Sequence, residues 1–224
     1  MTESRRQAAL ERCESIGKEH ERQRTELRHS ARAQADLRPL SPLCAMESLA
    51  RVLPPNVAVV EESPTTTMGS YFERTGALKN TDGYFAQRGW ALGWGLNCAM
   101  GVQLAWPDRP VLAVIGDGSA MYGIQGLWTA ARYRVPVTLV ITNNREYRIL
   151  KDCAQVLRLP ASLDNRFEGL DLDGPNIDFV ALAGSLGVQA ERVETPDALS
   201  DAVAQSLAGD QPRVIEVAVR RPER

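Results

Sequence analysis

Two unbroken apolar segments, each followed at once by polar residues, constrain the fold of this chain more than any other feature. They read PVLAVIGDG over residues 110–118 and PVTLVITNN over residues 136–144. Strands that are apolar on both faces belong to parallel sheets covered on both sides. The helix-like segment GIQGLWTAARY, residues 123–133, lies between them. The pattern predicts a strand–helix–strand unit whose two polar ends lie at the same edge of a sheet.

From residue 39 onward the chain continues this alternation of helices and strands. Ser41 is a suitable N-cap and Pro42 suits the first turn of a helix that Pro54 and Pro55 end. The other predicted strands cover residues 56–63, 188–193 and 212–221, and the other predicted helices cover residues 91–105, 178–187 and 195–209. We therefore predict a three-layer α/β/α domain with a mainly parallel central sheet over residues 39–224.

The first 38 residues differ in character from the rest of the chain. They carry nine Lys or Arg and seven Asp or Glu residues, and their apolar residues Leu10, Ile16 and Leu27 are too sparse for an apolar stripe. We expect a polar arm, helical or disordered. Three interpretations remain open for it: a linker, a docking helix, or the remnant of a preceding domain.

The overall composition excludes several classes of function. A formal net charge of −2 argues against a nucleic-acid-binding protein, and no apolar segment approaches the ~18 residues of a membrane span. The N-terminus lacks the apolar core of a secretory signal, so we expect a cytoplasmic protein. Both histidines, His20 and His29, lie in the polar arm, which excludes a Ser-His-Asp triad within the domain.

The polar residues after the first apolar segment point to an anionic ligand. Gly116 and Gly118 allow the backbone to approach a bulky ligand closely and supply turn conformations that other residues resist. A helix beginning near Ser119 would direct its free amides at an anion such as a diphosphate. Asp117 would repel that anion unless a cation lay between them.

Mg²⁺ is a cation that suits these residues, because it takes oxygen ligands from protein, phosphate and water together. Asp117 offers a carboxylate, Asn144 an amide oxygen and Glu146 a backbone carbonyl. GDG alone or a pair of asparagines alone is an ordinary turn. Their combination across strand, turn and helix, with Asp117 and Asn144 separated by 27 positions, is more specific. Neither a P-loop nor a dinucleotide-binding fingerprint is present.

These motifs resemble those of the thiamine-diphosphate-dependent enzymes, in the domain that holds the cofactor's diphosphate. The likeness is greatest to the benzoylformate decarboxylases and extends to related 2-oxo-acid decarboxylases and acetolactate synthases. It covers residues 43–219 and includes VVEESPTTT, GDGS, LWTAARYRVPVTLVITNN and IDFVALAGSLGVQA. The resemblance implies thiamine diphosphate and Mg²⁺ as cofactors and a small 2-oxo acid as substrate.

The resemblance also implies roles for individual residues. Mg²⁺ would be bound by Asp117, Asn144 and the carbonyl of Glu146. The expected cofactor-binding residues are Thr65, Thr66, Trp90, Leu92, Gly116, Asp117, Gly118, Ser119, Asn144, Glu146 and Tyr147. The expected catalytic residues are Leu92, beneath the thiazolium ring, and Tyr147 and Leu150, which border the reaction centre. From the residues alone, Leu92 is a helix-core residue, and only the resemblance gives it a catalytic role. Tyr147 and Leu150 are equally packing residues.

Activity in this family also needs a glutamate from a separate pyrimidine-binding domain, in the same chain or on a partner subunit. Only the polar arm precedes this domain, so we expect such a partner, a homo- or hetero-oligomer, and no decarboxylation by the chain alone. An acetolactate-synthase-like carboligase and a catalytically silent cofactor-binding module are the alternatives. Arg145 and Arg148 occupy positions where relatives tend to have glycine. Arg148 either enters the pocket and favours an acidic substrate, obstructs the pocket, or lies on the surface.

Overall fold

A computed structural model describes residues 2–67, 71–86, 89 and 91–221. In these ranges the strands are β1 (Ala58–Glu62), β2 (Tyr84–Ala86), β3 (Val111–Gly116), β4 (Val137–Asn143), β5 (Gln189–Val193) and β6 (Arg213–Ala218). They form one sheet in the order β2-β1-β3-β4-β6-β5. Every neighbouring pair of strands is parallel. The parallel sheet predicted from the apolar segments is confirmed.

Helices connect the strands and cover the sheet. They are α1 (Glu3–Ala33), α2 (Pro42–Val52), α3 (Pro64–Thr67), α4 (Tyr71–Arg74), α5 (Gly95–Ala105), α6 (Asp117–Ala120), α7 (Gly126–Tyr133), α8 (Arg148–Val156), α9 (Pro160–Leu163), α10 (Phe179–Ser185) and α11 (Pro196–Leu207). Ser41 caps α2 as predicted, because its side chain accepts a hydrogen bond from the amide of Cys44.

The core lies on both faces of the sheet, as a three-layer domain requires. On β3, Ala113 and Ile115 pack into one apolar cluster together with residues of α5, α7 and α10. Leu112 and Val114 pack into the other cluster, with residues of α2 and α11. Alternate residues of a strand point to opposite faces, so an uninterrupted apolar strand has a helix layer on each side. The predicted α/β/α architecture is confirmed.

Some element boundaries differ from the predictions. The helix predicted from residue 91 begins at Gly95, because residues 91–94 form a turn that contacts the end of β1. The helix predicted from residue 123 begins at Gly126, after a series of turns. Strand β2 was not predicted; it is a three-residue edge strand that is only half-buried, so its apolar pattern is weak.

Residues Glu3–Ala33 of the polar arm form a single 31-residue helix. It contacts the domain near its C-terminal end, where Leu27 and Ala31 pack against Leu43 and Cys44. Most of its earlier residues are exposed. Its role as a separate arm remains a prediction. None of the helices in the described ranges combines the length and the apolar composition of a membrane span.

Candidate functional site

The carboxyl ends of β1, β3 and β4 meet at one edge of the sheet and border a cleft. Strands β3 and β4 are neighbours, with Gly116 opposite Thr142. The cleft is therefore bordered by residues 116–119, here called the first turn, and by residues 143–148, called the second turn. This is the edge at which open α/β sheets bind ligands.

Ten of the residues predicted to contact the cofactor line this cleft. They are Thr65, Thr66, Leu92, Gly116, Asp117, Gly118, Ser119, Asn144, Glu146 and Tyr147. Trp90 lies outside the described residues. Leu150 does not line the cleft, and its side chain is 43% exposed. Its proposed position beside the reaction centre remains a prediction.

Asp117 is the first residue of α6 and is only 3% exposed. Its Oδ2 accepts a hydrogen bond of 2.7 Å from the backbone amide of Arg145, across the cleft. Burial raises the pKa of Asp117 to about 6, against the opposing effect of backbone amides at Gly118 and Arg145. The nearby carboxylate of Glu146 raises it further. A buried carboxylate in this state is stabilised when a cation binds beside it.

The second turn contributes two further oxygen atoms. Asn144 is buried, and its Oδ1 accepts one hydrogen bond of 3.0 Å from the amide of Glu146, which leaves a lone pair available. In the described part of the chain, the carbonyl of Glu146 accepts no backbone hydrogen bond. A carboxylate, an amide oxygen and a carbonyl form a donor set that fits Mg²⁺ completed by phosphate and water.

No group of three or more His, Cys, Asp or Glu residues that could hold a metal occurs in the ranges that the structure describes. Asp117 alone would contribute a charged ligand among the three predicted metal-binding residues. An ion bound here would therefore rely on further oxygen atoms from its own diphosphate and water. This composition agrees with a Mg²⁺–diphosphate site and differs from a zinc site.

Of the two glycines in the first turn, only Gly118 is required for close packing, and the prediction that both supply unusual turn conformations was wrong. Gly116 has φ −68° and ψ 150°, values open to any residue. A Cβ atom on Gly118 would lie 2.6 Å from Cε1 of Tyr147, so the two turns pack directly on each other. A Cβ on Gly116 would meet nothing closer than 3.8 Å. The helix predicted near Ser119 begins instead at Asp117 and is a single turn.

Leu92 lies in the turn before α5 and lines the cleft, so the helix-core alternative for this residue was wrong. The carboxylate of Glu62, at the end of β1, accepts hydrogen bonds from the amide of Gly93 in that turn and from the amide of Gly95, the first residue of α5. This contact was not predicted from the sequence. Nothing in the local sequence indicates it, because the partners are about 30 residues apart.

A buried charge network supports the second turn. Lys151 donates to Glu146 Oε2 at 2.6 Å and also pairs with Asp171. Arg148 pairs with Asp152 at 2.8 Å, and its Nη1 lies 3.6 Å from Glu146 Oε1. Arg148 is 7% exposed and is among the residues lining the cleft, which excludes the surface alternative. The network was not predicted, because it joins residues 146–152 to the distant Asp171.

Arg145 lies on the exposed side of the second turn with φ 59°, in the left-handed region. That conformation favours glycine, which is the residue expected at this position from the family resemblance. The carbonyl of Arg145 accepts hydrogen bonds from the amide of Leu172 at 2.8 Å and from Arg221 at 3.2 Å. These contacts hold the turn in place despite the unfavourable residue.

A sequence model described as "Thiamine pyrophosphate enzyme, C-terminal TPP binding domain" matches residues 65–217. The chain belongs to this family. It is 38% identical over 179 residues to a benzoylformate decarboxylase from Pseudomonas aeruginosa, covering 80% of this chain and 32% of that protein. It is 35% identical over 143 residues to an acetolactate synthase large subunit from Parasynechococcus marenigrum, covering 61% and 22% respectively.

The fold is also similar to a solved member of the family. The thiamine diphosphate-dependent 4-hydroxybenzoylformate decarboxylase from Rhodococcus jostii RHA1 superposes with a TM-score of 0.75 at 36% identity. The match covers 83% of this chain and 34% of that one. The chain thus spans about a third or less of the length of these three relatives.

Proposed function

We propose that this chain binds thiamine diphosphate, the same compound as thiamine pyrophosphate, through Mg²⁺ and the diphosphate group. In this proposal it is the diphosphate-binding half of a 2-oxo-acid decarboxylase of the benzoylformate decarboxylase kind. The observation that carries the proposal is the meeting of Asp117, Asn144 and the Glu146 carbonyl beside the open backbone face of Gly116. A pyrimidine-binding domain or subunit would complete the enzyme.

Each part of the cleft has a distinct task in this proposal. Asp117, Asn144 and the Glu146 carbonyl hold Mg²⁺. The amides of the first turn and the hydroxyl of Ser119 donate to the diphosphate oxygens, and Thr65 and Thr66 donate from the other side. Mg²⁺ removes the repulsion between the diphosphate and Asp117, which is the conflict that first indicated a metal.

Bound thiamine diphosphate supplies the carbon nucleophile that attacks the carbonyl of a 2-oxo acid. Leu92 would contact the thiazolium ring, and Tyr147 would border the reacting atoms. We place the carboxylate that activates the aminopyrimidine outside these residues, because Asp117 is committed to the metal and Glu62 to backbone amides. This division of roles is why a pyrimidine-binding domain is part of the proposal.

Calorimetric titration with thiamine diphosphate, with and without Mg²⁺, tests the binding site directly. The wild-type chain is expected to bind the cofactor only when Mg²⁺ is present. Asp117→Ala is expected to abolish that binding while the chain remains folded, because removing the carboxylate leaves no charged metal ligand among the three. Equal affinity in the variant and the wild type would refute the metal site.

Exposed apolar side chains beside the cleft favour a partner domain. Helices α8 and α9, together with the link between them, expose Leu150, Val156, Leu157, Leu159 and Leu163. Apolar faces of this extent commonly mark an interface. We propose that the pyrimidine-binding domain covers them, from the same polypeptide or from a partner in a homo- or hetero-oligomer. A monomer by light scattering that binds no added pyrimidine domain would contradict this.

Activity measurements then separate the enzymatic alternatives. The chain alone, saturated with thiamine diphosphate and Mg²⁺, is expected to show no 2-oxo-acid decarboxylation. A supplied pyrimidine domain with its glutamate is expected to restore it, and Asp117→Ala to remove it again. The similarity to acetolactate synthases supports a carboligase as the second candidate. Condensation of two 2-oxo acids in the restored enzyme, in place of aldehyde release, would favour that candidate.

A further inference from the structure

Glu62 is a buried carboxylate that contacts the cleft only indirectly. It ends β1, is 6% exposed, and is absent from the residues that line the cleft. Its Oε1 accepts a hydrogen bond of 2.5 Å from the amide of Gly93, and its Oε2 one of 2.6 Å from the amide of Gly95. Gly93 immediately follows Leu92 in the chain, and Gly95 lies two residues further on. The carboxylate thereby fixes the turn that presents Leu92 to the cleft.

The same contact caps helix α5. The N-cap residue of α5, Trp94, makes no side-chain capping hydrogen bond, so the first amides of the helix have no local acceptor. Glu62 supplies that acceptor from the neighbouring strand, with a negative charge at the positive end of the helix dipole. The start of α5 and the turn before it are consequently anchored to the sheet.

The turn is packed tightly around this anchor. Gly93 has φ +97°, and a Cβ atom there would lie 2.5 Å from Cβ of Tyr122. A Cβ atom on Gly95 would lie 2.6 Å from Oε2 of Glu62. The Tyr122 ring in turn contacts Tyr147, at 6.4 Å between centroids. Leu92 is therefore held on one side by Glu62 and on the other by a chain of contacts to the second turn.

We propose that Glu62 is a positioning residue that fixes Leu92 at the height where it supports the thiazolium ring. The inference rests on the proposed function, because it assigns Leu92 the role of contacting that ring. Binding of the metal and of the diphosphate does not depend on this role of Glu62. Loss of Glu62 is therefore expected to affect the organic part of the cofactor and to leave diphosphate binding intact.

Two titrations of the full chain separate these effects, one with thiamine diphosphate and one with inorganic diphosphate, both with Mg²⁺. Glu62→Gln places an NH₂ group where an oxygen now accepts an amide hydrogen. We expect affinity for thiamine diphosphate to fall about tenfold, the size of losing a hydrogen bond to a charged group. Affinity for inorganic diphosphate should change less than about twofold. Leu92→Ala should give the same selective loss, and the double variant no further loss.

Glu216→Gln is the matched control, since Glu216 is also a buried carboxylate in a strand, paired with Asn143 and Arg192 away from Leu92. It should leave the ratio of the two affinities unchanged. Equal losses for both ligands in Glu62→Gln, or no loss for either, would overturn the inference. If Glu62→Gln does not fold, Glu62→Asp, whose shorter side chain retreats from the amides, must show the selective loss. A wild-type chain that binds inorganic diphosphate and not thiamine diphosphate would refute the proposed function instead.

Discussion

The first turn carries one charged side chain, Asp117, and its carboxylate is hydrogen-bonded to backbone amides. The second turn carries Arg145, Glu146 and Arg148, and its buried charges are paired with Lys151 and further acidic side chains. Both turns follow buried parallel strands that are neighbours in the sheet. The backbones of the two turns are therefore supported in the same way. The charge of the first turn is met by backbone amides, whereas the buried charges of the second turn are met by charged side chains.

This difference indicates what each turn contributes to binding. A buried carboxylate without a cationic partner is destabilising, and in the proposed function Mg²⁺ bound at the first turn would relieve this. The buried charges of the second turn are paired within the chain. They fix the backbone so that the Glu146 carbonyl and the Asn144 side chain stay at one place. In the proposed function the first turn would respond to the metal, and the second would hold its oxygen atoms in place.

The largest effect on stability is expected from breaking the network of the second turn. Lys151→Met should reduce the free energy of unfolding by about 3–5 kcal/mol, because it leaves the buried carboxylate of Glu146 without its closest partner. Urea denaturation measures this. Lys18→Met, which removes an exposed ion pair with Glu14, is the control and should change stability by less than about 0.5 kcal/mol. Similar losses in the two variants would show that burial of the network contributes nothing.

The contrast between the turns also explains which features the sequence predicts. The sheet and the first turn follow from short-range patterns: apolar segments that end in GDG and in paired asparagines. The network of the second turn depends on Asp171, which lies outside the regular helices and strands, and on how that segment folds back. The contact of Glu62 with the turn at Gly93 likewise depends on tertiary folding. Spacing along the chain does not indicate such pairs.

The second-largest expected effect is a dependence of stability on pH, caused by the carboxylate of Asp117, which has no cationic partner in the first turn. The folded-state pKa of Asp117 is raised by burial from 3.8 to about 6, so its neutral form is favoured in the folded chain. Stability due to this group is fully present below pH 3.8 and is lost as pH rises through about 6. The metal-free wild type should lose on the order of 2 kcal/mol over this window relative to Asp117→Asn.

Thermal unfolding of both proteins at several pH values, without added metal, measures this difference. Comparing them cancels the contribution of Glu62, whose pKa is raised by burial in both proteins. A stability difference that is constant between pH 4 and 7 would show that Asp117 is already compensated within the chain. In that case the charge of the first turn would be compensated within the chain, as the charges of the second turn are, and the proposed difference between the two turns would be wrong.

Replacement of Arg145 is expected to change the free energy of unfolding by less than the substitutions above, and to increase it. Arg145→Gly should raise the free energy of unfolding by about 1 kcal/mol, because glycine adopts the φ of 59° without the strain of a side chain. The hydrogen bonds at this position involve only its backbone, so they persist in the variant. Arg132→Gly, within helix α7, is the control and should instead destabilise by about 1 kcal/mol. A loss of stability in both variants would mean that the Arg145 side chain stabilises the turn.

The smallest effect on stability, with the clearest effect on binding, is expected at Gly116. Its backbone angles suit alanine, and the added Cβ would meet no protein atom closer than 3.8 Å. Gly116→Ala should therefore raise the free energy of unfolding by about 0.5 kcal/mol, by restricting the unfolded chain. The same methyl group would project into the cleft where the diphosphate is proposed to lie, and should weaken Mg²⁺-dependent binding by roughly tenfold or more. Gly184→Ala, in α10 where a Cβ meets nothing within 4 Å, is the control and should leave binding unchanged. Unchanged binding in Gly116→Ala would mean that the diphosphate does not lie against Gly116. The first turn would then contribute only its proposed metal ligand.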